Sequence, residues 1–180
     1  MANYAKIKNF DIANGKGIRT SIFFSGCEFH CPGCFNSECW DFNVGESFNR
    51  EIYEAKIKPT INEHIAGMSL LGGECLHPKN IFATCDLIRW FKEDFPDKNI
   101  WLWTGYLWED LQTRKSYEYC IRKIDAIALG LILNSIDVLV DGQFVEAEKD
   151  LTLAFRGSRN QRVIDVQQSL QQGQVVLYKE

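Results

Sequence analysis

The sequence lacks the long apolar runs that mark exported and membrane-spanning chains. Its first ten residues, MANYAKIKNF, contain no apolar run able to serve as a signal peptide. No window approaches the roughly 18 uninterrupted apolar residues that cross a bilayer. We therefore expect a cytoplasmic protein in a reducing compartment, with no membrane partner.

Concentrated positive charge is also missing. The 180 residues carry 20 Lys and Arg against 24 Asp and Glu, and the basic residues form no long run, which argues against a nucleic-acid partner. Internal repeats, low-complexity segments and linkers are absent as well. With 46% hydrophobic residues, the chain is expected to fold as a single domain over residues 1–180.

Cysteine, by contrast, is concentrated in one place. Of seven cysteines, Cys27, Cys31 and Cys34 fall within the stretch SGCEFHCPGCFN. An odd total, a reducing compartment and this tight spacing argue against a disulfide framework. Thiolates in this pattern indicate a metal site.

Two kinds of metal site remain open on spacing alone. Zinc could take Cys39 as a fourth ligand, with His30 inside the loop, but no second C-x2-C pair follows, since Cys75, Cys85 and Cys120 stand alone. An iron–sulfur cluster held by only three thiolates would keep one iron open. An open metal position is where a substrate can bind.

Alternating strands and helices predict an α/β fold with mostly parallel strands. The predicted strands are RTSIFFSG, MSLLGGE, NIWLWTG and IDVLVDG, followed by the short RVIDV and QVVLY with QQSLQQGQ as a polar connection. The predicted helices are NREIYEAKIKP, NIFATCDLIRWFKEDF and SYEYCIRKIDAIALGLIL. The first four strands end in GCEFHCPGC, GGE, TGY and DGQF, and loops at the carboxyl ends of such strands build a shared site.

These motifs resemble a known family. CEFHCPGC with Phe35 after it resembles the C-x3-C-x2-C-aromatic signature of radical S-adenosylmethionine (SAM) enzymes, and GGE resembles their Gly-Gly-acid motif. Longer stretches are similar to the anaerobic ribonucleoside-triphosphate reductase activating proteins; they are Phe10–Trp40, Ser69–Asn80, Asn99–Tyr106 and Ile136–Val166. The resemblance implies a partial, open βα barrel of the radical SAM type. Taken alone, Gly72–Gly73 would be interpreted as a turn.

The resemblance also implies the site residues. Cys27, Cys31 and Cys34 match the ligands of a [4Fe-4S] cluster whose fourth iron is chelated by SAM. Contacts to SAM are implied at six positions, namely Gly33, Cys34, Phe35, Gly72, Gly73 and Glu74. A side chain at Gly73 is therefore expected to displace SAM while iron is kept.

Two departures from the family pattern are visible. Cys75 stands where the family usually has Pro, which would place an extra thiol near the site. The stretch Leu107–Ser135 and the tail after Val166 match no family segment.

The implied activity is that of a glycyl-radical-enzyme activase. A one-electron donor such as flavodoxin would reduce the cluster, SAM would be cleaved to a 5′-deoxyadenosyl radical, and that radical would take hydrogen from a glycine near the C-terminus of the reductase. This chemistry comes from the cofactor, so no catalytic side chain is expected. The alternatives are an activase of another glycyl radical enzyme and a zinc-stabilised binding module.

A late arginine-containing segment is distinctive of the reductase activases. Arg156, Arg159 and Arg162 follow the strand-end Asp141–Gly142. The simplest interpretation of each arginine is a solvated surface charge. Together they predict contacts to the SAM carboxylate or to the glycine loop of the reductase, since Arg binds carboxylates in a bidentate manner.

Overall fold

The computed structural model of the chain describes residues 2–114 and 123–179. Its strands are β1 (Asn3–Asp11), β2 (Ile18–Phe24), β3 (Glu46–Ser47), β4 (Ile65–Gly72), β5 (Asn99–Trp103), β6 (Val138–Asp141) and β7 (Arg162–Asp165). Its helices are α1 (Arg50–Ile52), α2 (Ile81–Asp94), α3 (Trp108–Arg114), α4 (Lys123–Ser135) and α5 (Val166–Gln172).

The strands form one sheet in the order β3-β1-β2-β4-β5-β6-β7. Neighbours among β2, β4, β5 and β6 pair in parallel, whereas β1 and β7 run antiparallel to the strands beside them. β3 and β7 stand at opposite edges of the sheet order, so the sheet does not close. The mixed α/β fold with a mostly parallel central sheet is confirmed, and a barrel of the radical SAM type stays a prediction.

The central strands are buried along most of their length, including the polar residues Arg19, Thr20 and Ser21 of β2. β2 is buried at every position after Ile18, and β4 is buried from Gly67 to Leu71. On one face of the sheet, residues such as Leu70 and Leu102 pack with α2 and α4 in the core, while Phe23, Leu71 and Trp103 on the other face line the cavity described below. α2 buries Leu87, Ile88 and Phe91 on one face, the helical spacing expected from its sequence.

Several elements differ from the sequence prediction. QVVLY is not a strand, since Leu177 makes only an isolated bridge to Ile164. The stretch predicted as a polar connection contains α5, because the Asp165 side chain caps the helix by accepting from the Gln168 N–H and Gly173 ends it with a φ of +67°.

The predicted helix around NREIYEAKIKP is irregular. A single α-turn is followed by a five-residue π-helical stretch, Tyr53–Ile57, and a 3-10 turn, Lys58–Thr60, that contains Pro59. Of SYEYCIRKIDAIALGLIL, the structure describes the part within α4; its beginning, with Cys120, lies outside the described residues.

The core of the described residues lies between the sheet and its helices. The largest buried cluster joins residues of the central strands, α2 and α4, including Leu70, Phe91, Leu102 and Leu133. Among the described helices, none is long and apolar enough to cross a bilayer.

Candidate functional site

A cavity of about 750 Å³ opens at the carboxyl ends of the central strands. Its size is within the range of sites that bind cofactors. Each of the four strand-end loops contributes to its wall; the lining residues include Cys27, Cys31, Cys34, Phe35, Gly72, Gly73, Glu74, Thr104, Gly105, Gly142, Phe144 and Arg156. The loops are neighbours because β2, β4, β5 and β6 are adjacent and parallel.

The loop after β2 presents three free thiols to this cavity, those of Cys27, Cys31 and Cys34. A backbone bond from the Cys34 N–H to the Cys31 oxygen, 3.1 Å long, tightens the loop between two of them. The Asn36 N–H points at the Cys34 sulfur, 3.4 Å away. Hydrogen bonds of this kind are among the features that tune iron–sulfur clusters.

Burial affects the ionisation of two of these thiols, Cys27 and Cys31, in the metal-free chain. Desolvation raises the pKa of Cys27 to about 11 and also raises the pKa of Cys31. A bound iron would reverse this effect, because a coordinating metal deprotonates the thiol. The neutral thiols therefore describe the protein before a cluster is bound.

The remaining described cysteines do not line the cavity. Cys39 has no exposed surface and packs with Phe23 and Leu71, and burial raises its pKa to about 11. Cys75 is fully buried in the main core and does not line the cavity, although it is close enough to Glu74 and Cys27 for their charges to add to the effect of burial in raising its pKa. Although Cys75 follows Glu74 directly, its side chain packs in the main core rather than lining the cavity.

The thiol arrangement fits a cluster better than it fits a single ion. Within residues 2–114 and 123–179, no three His, Cys, Asp or Glu side chains converge closely enough to hold one metal ion. Tetrahedral zinc needs its ligands to converge on a point. A cubane binds each thiolate to a different iron, so the thiols only have to face a common volume, as Cys27, Cys31 and Cys34 do.

Glycine is required where the loop after β4 meets the cysteine loop. The Gly73 N–H donates to the Phe24 oxygen at 2.7 Å, and the Glu74 N–H donates to the Gly26 oxygen at 2.8 Å. A Cβ on Gly73 would lie 2.6 Å from the Gly26 oxygen, an overlap with backbone. A side chain at Gly73 would thus push on the residue before Cys27, and that such a variant loses SAM while it keeps iron stays a prediction.

Glu74 lies at the floor of the cavity and is only 2% exposed. Its Oε1 accepts from the Leu76 N–H at 2.9 Å and from the Thr104 hydroxyl at 2.8 Å, while its Oε2 accepts from the Gly105 N–H at 2.8 Å. Burial raises the pKa of this carboxyl, and the three hydrogen bonds oppose that rise. Glu74 therefore fixes the loop after β4 to the loop after β5 while it faces the cavity.

An aromatic wall forms the side of the cavity next to the cysteine loop. Phe35 is 52% exposed and meets Phe144 edge-to-face, with ring centroids 5.2 Å apart. Gly157 lies against it, since a Cβ there would be 2.8 Å from the Phe35 ring. Gly33, with a φ of +70°, makes the turn before Cys34. The exposed ring offers a flat apolar surface suited to a planar base.

The three arginines of the late segment have different environments. Arg156 lines the cavity, and its Nη1 donates to the Gln161 oxygen at 2.7 Å. Arg159 is exposed and pairs with Asp150 at 3.1 Å. Of the three, therefore, Arg156 alone is among the cavity-lining residues.

Arg162 is held within the fold. Its guanidinium pairs with Asp141, which has no exposed surface, and with Glu109 at 2.8 Å. The predicted cofactor or partner contact consequently does not suit Arg162, because its donors are already used at the β6–β7 junction.

Sequence reasoning missed the contribution of β1 to the cavity. Lys6 and Lys8 of this strand are among the residues that line the cavity. The sequence pattern typical of a strand was present, because Lys6 and Lys8 alternate with Ala5 and Ile7 in a period of two.

Comparison with known proteins agrees with the site. A family model described as a 4Fe-4S single cluster domain matches residues 13–164, which defines the class as proteins with one iron–sulfur cluster. Similar curated proteins are named anaerobic ribonucleoside-triphosphate reductase-activating protein. One from Salmonella typhi is 40% identical over 156 residues, covering 85% of this chain and 92% of the relative.

Two further relatives carry the same name. The protein from Escherichia coli (strain K12) is 36% identical and that of Enterobacteria phage T4 is 34% identical, each over 163 residues. These alignments cover 89% of this chain and 97% and 92% of the respective relatives. The chain belongs to the family of anaerobic ribonucleoside-triphosphate reductase-activating proteins.

Proposed function

We propose that this chain is a radical SAM glycyl-radical-enzyme activase whose partner is anaerobic ribonucleoside-triphosphate reductase. The observation that carries the proposal is one cavity lined both by Cys27, Cys31 and Cys34 and by Gly73–Glu74. The printed names of the relatives supply the partner. The proposal treats residues 1–180 as one radical SAM domain in the cytoplasm.

The cysteine loop would hold a [4Fe-4S] cluster through three thiolates. The free state of Cys27, Cys31 and Cys34, and their shared exposure to the cavity, support this ligand set. Cys39 lies in an apolar pocket and is not a ligand in this proposal. With SAM bound at the open iron, one-electron cleavage of SAM would supply a 5′-deoxyadenosyl radical that takes hydrogen from a C-terminal glycine of the reductase.

The cavity wall would bind and orient SAM. The backbone of Gly33–Phe35 and the exposed Phe35 ring suit the adenine, which is planar and apolar on its faces. Gly72–Glu74 suits the amino group, because carbonyl and carboxylate oxygens accept from it. Arg156 faces the same cavity as a cation and suits the SAM carboxylate.

The rim of the cavity would receive the reductase and keep water away from the radical. Leu151 lines the mouth and is 79% exposed, an apolar contact available to a partner loop. No side chain is required as a general base, since hydrogen transfer involves no proton acceptor. Flavodoxin, or a donor of similar potential, is the proposed electron source.

The proposal is tested by anaerobic reconstitution with iron and sulfide, followed by incubation with SAM, a reductant and the cognate reductase. Electron paramagnetic resonance should then show a glycyl radical on the reductase. The Cys31→Ser variant is the control and should give none. A colourless protein that binds zinc and still supports its partner would overturn the proposal, as would a radical on a different glycyl radical enzyme but not on this reductase.

A further inference from the structure

Asn80, the residue before α2, joins the two loops that carry the cysteines and the Gly-Gly-Glu motif. Its side chain is fully buried. Its Nδ2 lies 2.9 Å from the Ser25 oxygen and 2.9 Å from the Glu74 oxygen, with the Gly26 oxygen farther away at 3.4 Å. An amide nitrogen carries two hydrogens. One can be donated to the carbonyl of Ser25 and the other to the carbonyl of Glu74.

The other end of the same amide makes no compensating contact. Within the described residues, the buried Oδ1 of Asn80 has no hydrogen-bond partner. An unpaired buried acceptor is destabilising, so the favourable contacts of Asn80 are those of its two donor hydrogens.

The backbone carbonyl groups that Asn80 contacts belong to residues next to the candidate cluster ligands and the cavity. Ser25 comes two residues before Cys27, and Glu74 ends the loop that faces the cavity. Backbone bonds also link these loops, running from the Gly73 and Glu74 N–H groups to the Phe24 and Gly26 oxygens. The Ser25 oxygen is left to Asn80, whereas the Glu74 oxygen also accepts from the His77 N–H at 3.2 Å.

We propose that Asn80 is a positioning residue that sets the spacing between the cysteine loop and the Gly73–Glu74 loop. If the proposed function holds, this spacing places SAM against the cluster, because the cysteine loop would hold the cluster while the Gly73–Glu74 loop would bind the amino group of SAM. Asn80 does not line the cavity and so does not touch either group.

Thr84 provides a matched control on the same helix. It is also fully buried, and its hydroxyl donates to the Cys75 oxygen at 2.9 Å. Thr84→Val therefore removes one buried hydrogen bond to the loop after β4 without affecting the cysteine loop. Asn80→Ala removes the bonds to both.

The first measurement needs no cofactor. In the metal-free, reduced protein, Asn80→Ala should raise the hydrogen-exchange rates of the Cys27 and Glu74 amides about tenfold, the size of one net hydrogen bond. Both amides are hydrogen-bonded in the wild type, to the oxygens of Trp40 and Gly26. Thr84→Val should leave the Cys27 amide at the wild-type rate.

The second measurement uses the reconstituted protein. Asn80→Ala should keep wild-type iron and sulfide, while its affinity for SAM, followed by the change in the spectrum of the reduced cluster, should fall about tenfold. Thr84→Val should bind SAM as the wild type does.

The outcomes for the two variants and for the wild type separate the role of Asn80 from the proposed function. Wild-type exchange and wild-type SAM affinity in Asn80→Ala would overturn the proposal, and so would equal losses in Asn80→Ala and Thr84→Val. If Asn80→Ala does not fold, Asn80→Ser, which keeps one donor, should show the same pattern with a severalfold effect. A wild type that binds no SAM would refute the proposed function, and hydrogen exchange would still decide the role of Asn80.

Discussion

Replacing Arg162 with Met should destabilise the metal-free protein by about 3 kcal/mol. The Arg162 Nε lies 3.0 Å from Asp141 Oδ1, and the Asp141 side chain has no exposed surface. Removing one member of a buried ion pair costs roughly 3–5 kcal/mol, because the other charge stays buried. The lower end applies here, since Arg162 is 30% exposed and Asp141 keeps the Trp108 N–H at 2.8 Å.

The exposed ion pair between Arg162 and Glu109 should contribute less to stability. Glu109 is 59% exposed, so its pair with Arg162 adds less than about 1 kcal/mol. Urea unfolding with the thiols kept reduced should show a lower midpoint at an unchanged slope, and thermal unfolding a Tm lower by about 6–12 °C.

The matched control is Arg159→Met, which removes an exposed pair with Asp150 and should change stability by no more than about 1 kcal/mol. If Arg162→Met lies within 1 kcal/mol of the wild type, the assignment of Arg162 to the fold rather than to a ligand is wrong.

Three other perturbations address the site and the sheet. Cys31→Ser should lose its iron on reconstitution and Cys39→Ala should keep it; equal loss by metal analysis would restore the four-cysteine zinc site. Arg156→Gln should weaken SAM binding about tenfold through loss of a charge-assisted bond, so SAM cleavage and radical yield should fall together; cleavage retained with radical yield lost would assign Arg156 to the reductase. Burial raises the pKa of Asp11, but hydrogen bonds, first among them that from Lys8, outweigh it and lower the pKa to about 2. Because an unfolded Asp titrates near 3.9, Asp11 stabilises the fold above about pH 4, and this contribution of about 2 kcal/mol should be lost toward pH 2 in the wild type but not in Asp11→Asn.

The central strands and the position of the site were predictable from the sequence. β4, β5 and β6 are short, mostly apolar runs, β2 is rich in β-branched and aromatic residues, and all four end in glycine-containing motifs; parallel pairing follows from the helices between them. The local sequence pattern is enough to predict this position, since the loops that follow neighbouring parallel strands lie at the same edge of the sheet.

Side-chain direction was not predictable. Glu74 and Cys75 are adjacent in the sequence, yet Glu74 faces the cavity and Cys75 enters the core. The role of Asn80 depends on contacts 54 and 55 residues away, which no local spacing encodes.

The strand predicted for QVVLY in the C-terminal tail was wrong for a related reason. QVVLY has β-forming residues, but the structure pairs only Leu177 with Ile164, as an isolated bridge. β-propensity expresses a fit to a half-buried sheet surface and does not guarantee a neighbouring strand.

The most direct test follows the hydrogen atom from the reductase to SAM. The cognate reductase is prepared with glycine deuterated at Cα and incubated anaerobically with the reconstituted protein, SAM and a reductant, with Cys31→Ser as control. We expect deuterium in the 5′-deoxyadenosine recovered, rising in step with the glycyl radical, and neither with Cys31→Ser. A glycyl radical that forms while the 5′-deoxyadenosine stays unlabelled would contradict direct hydrogen abstraction at this site.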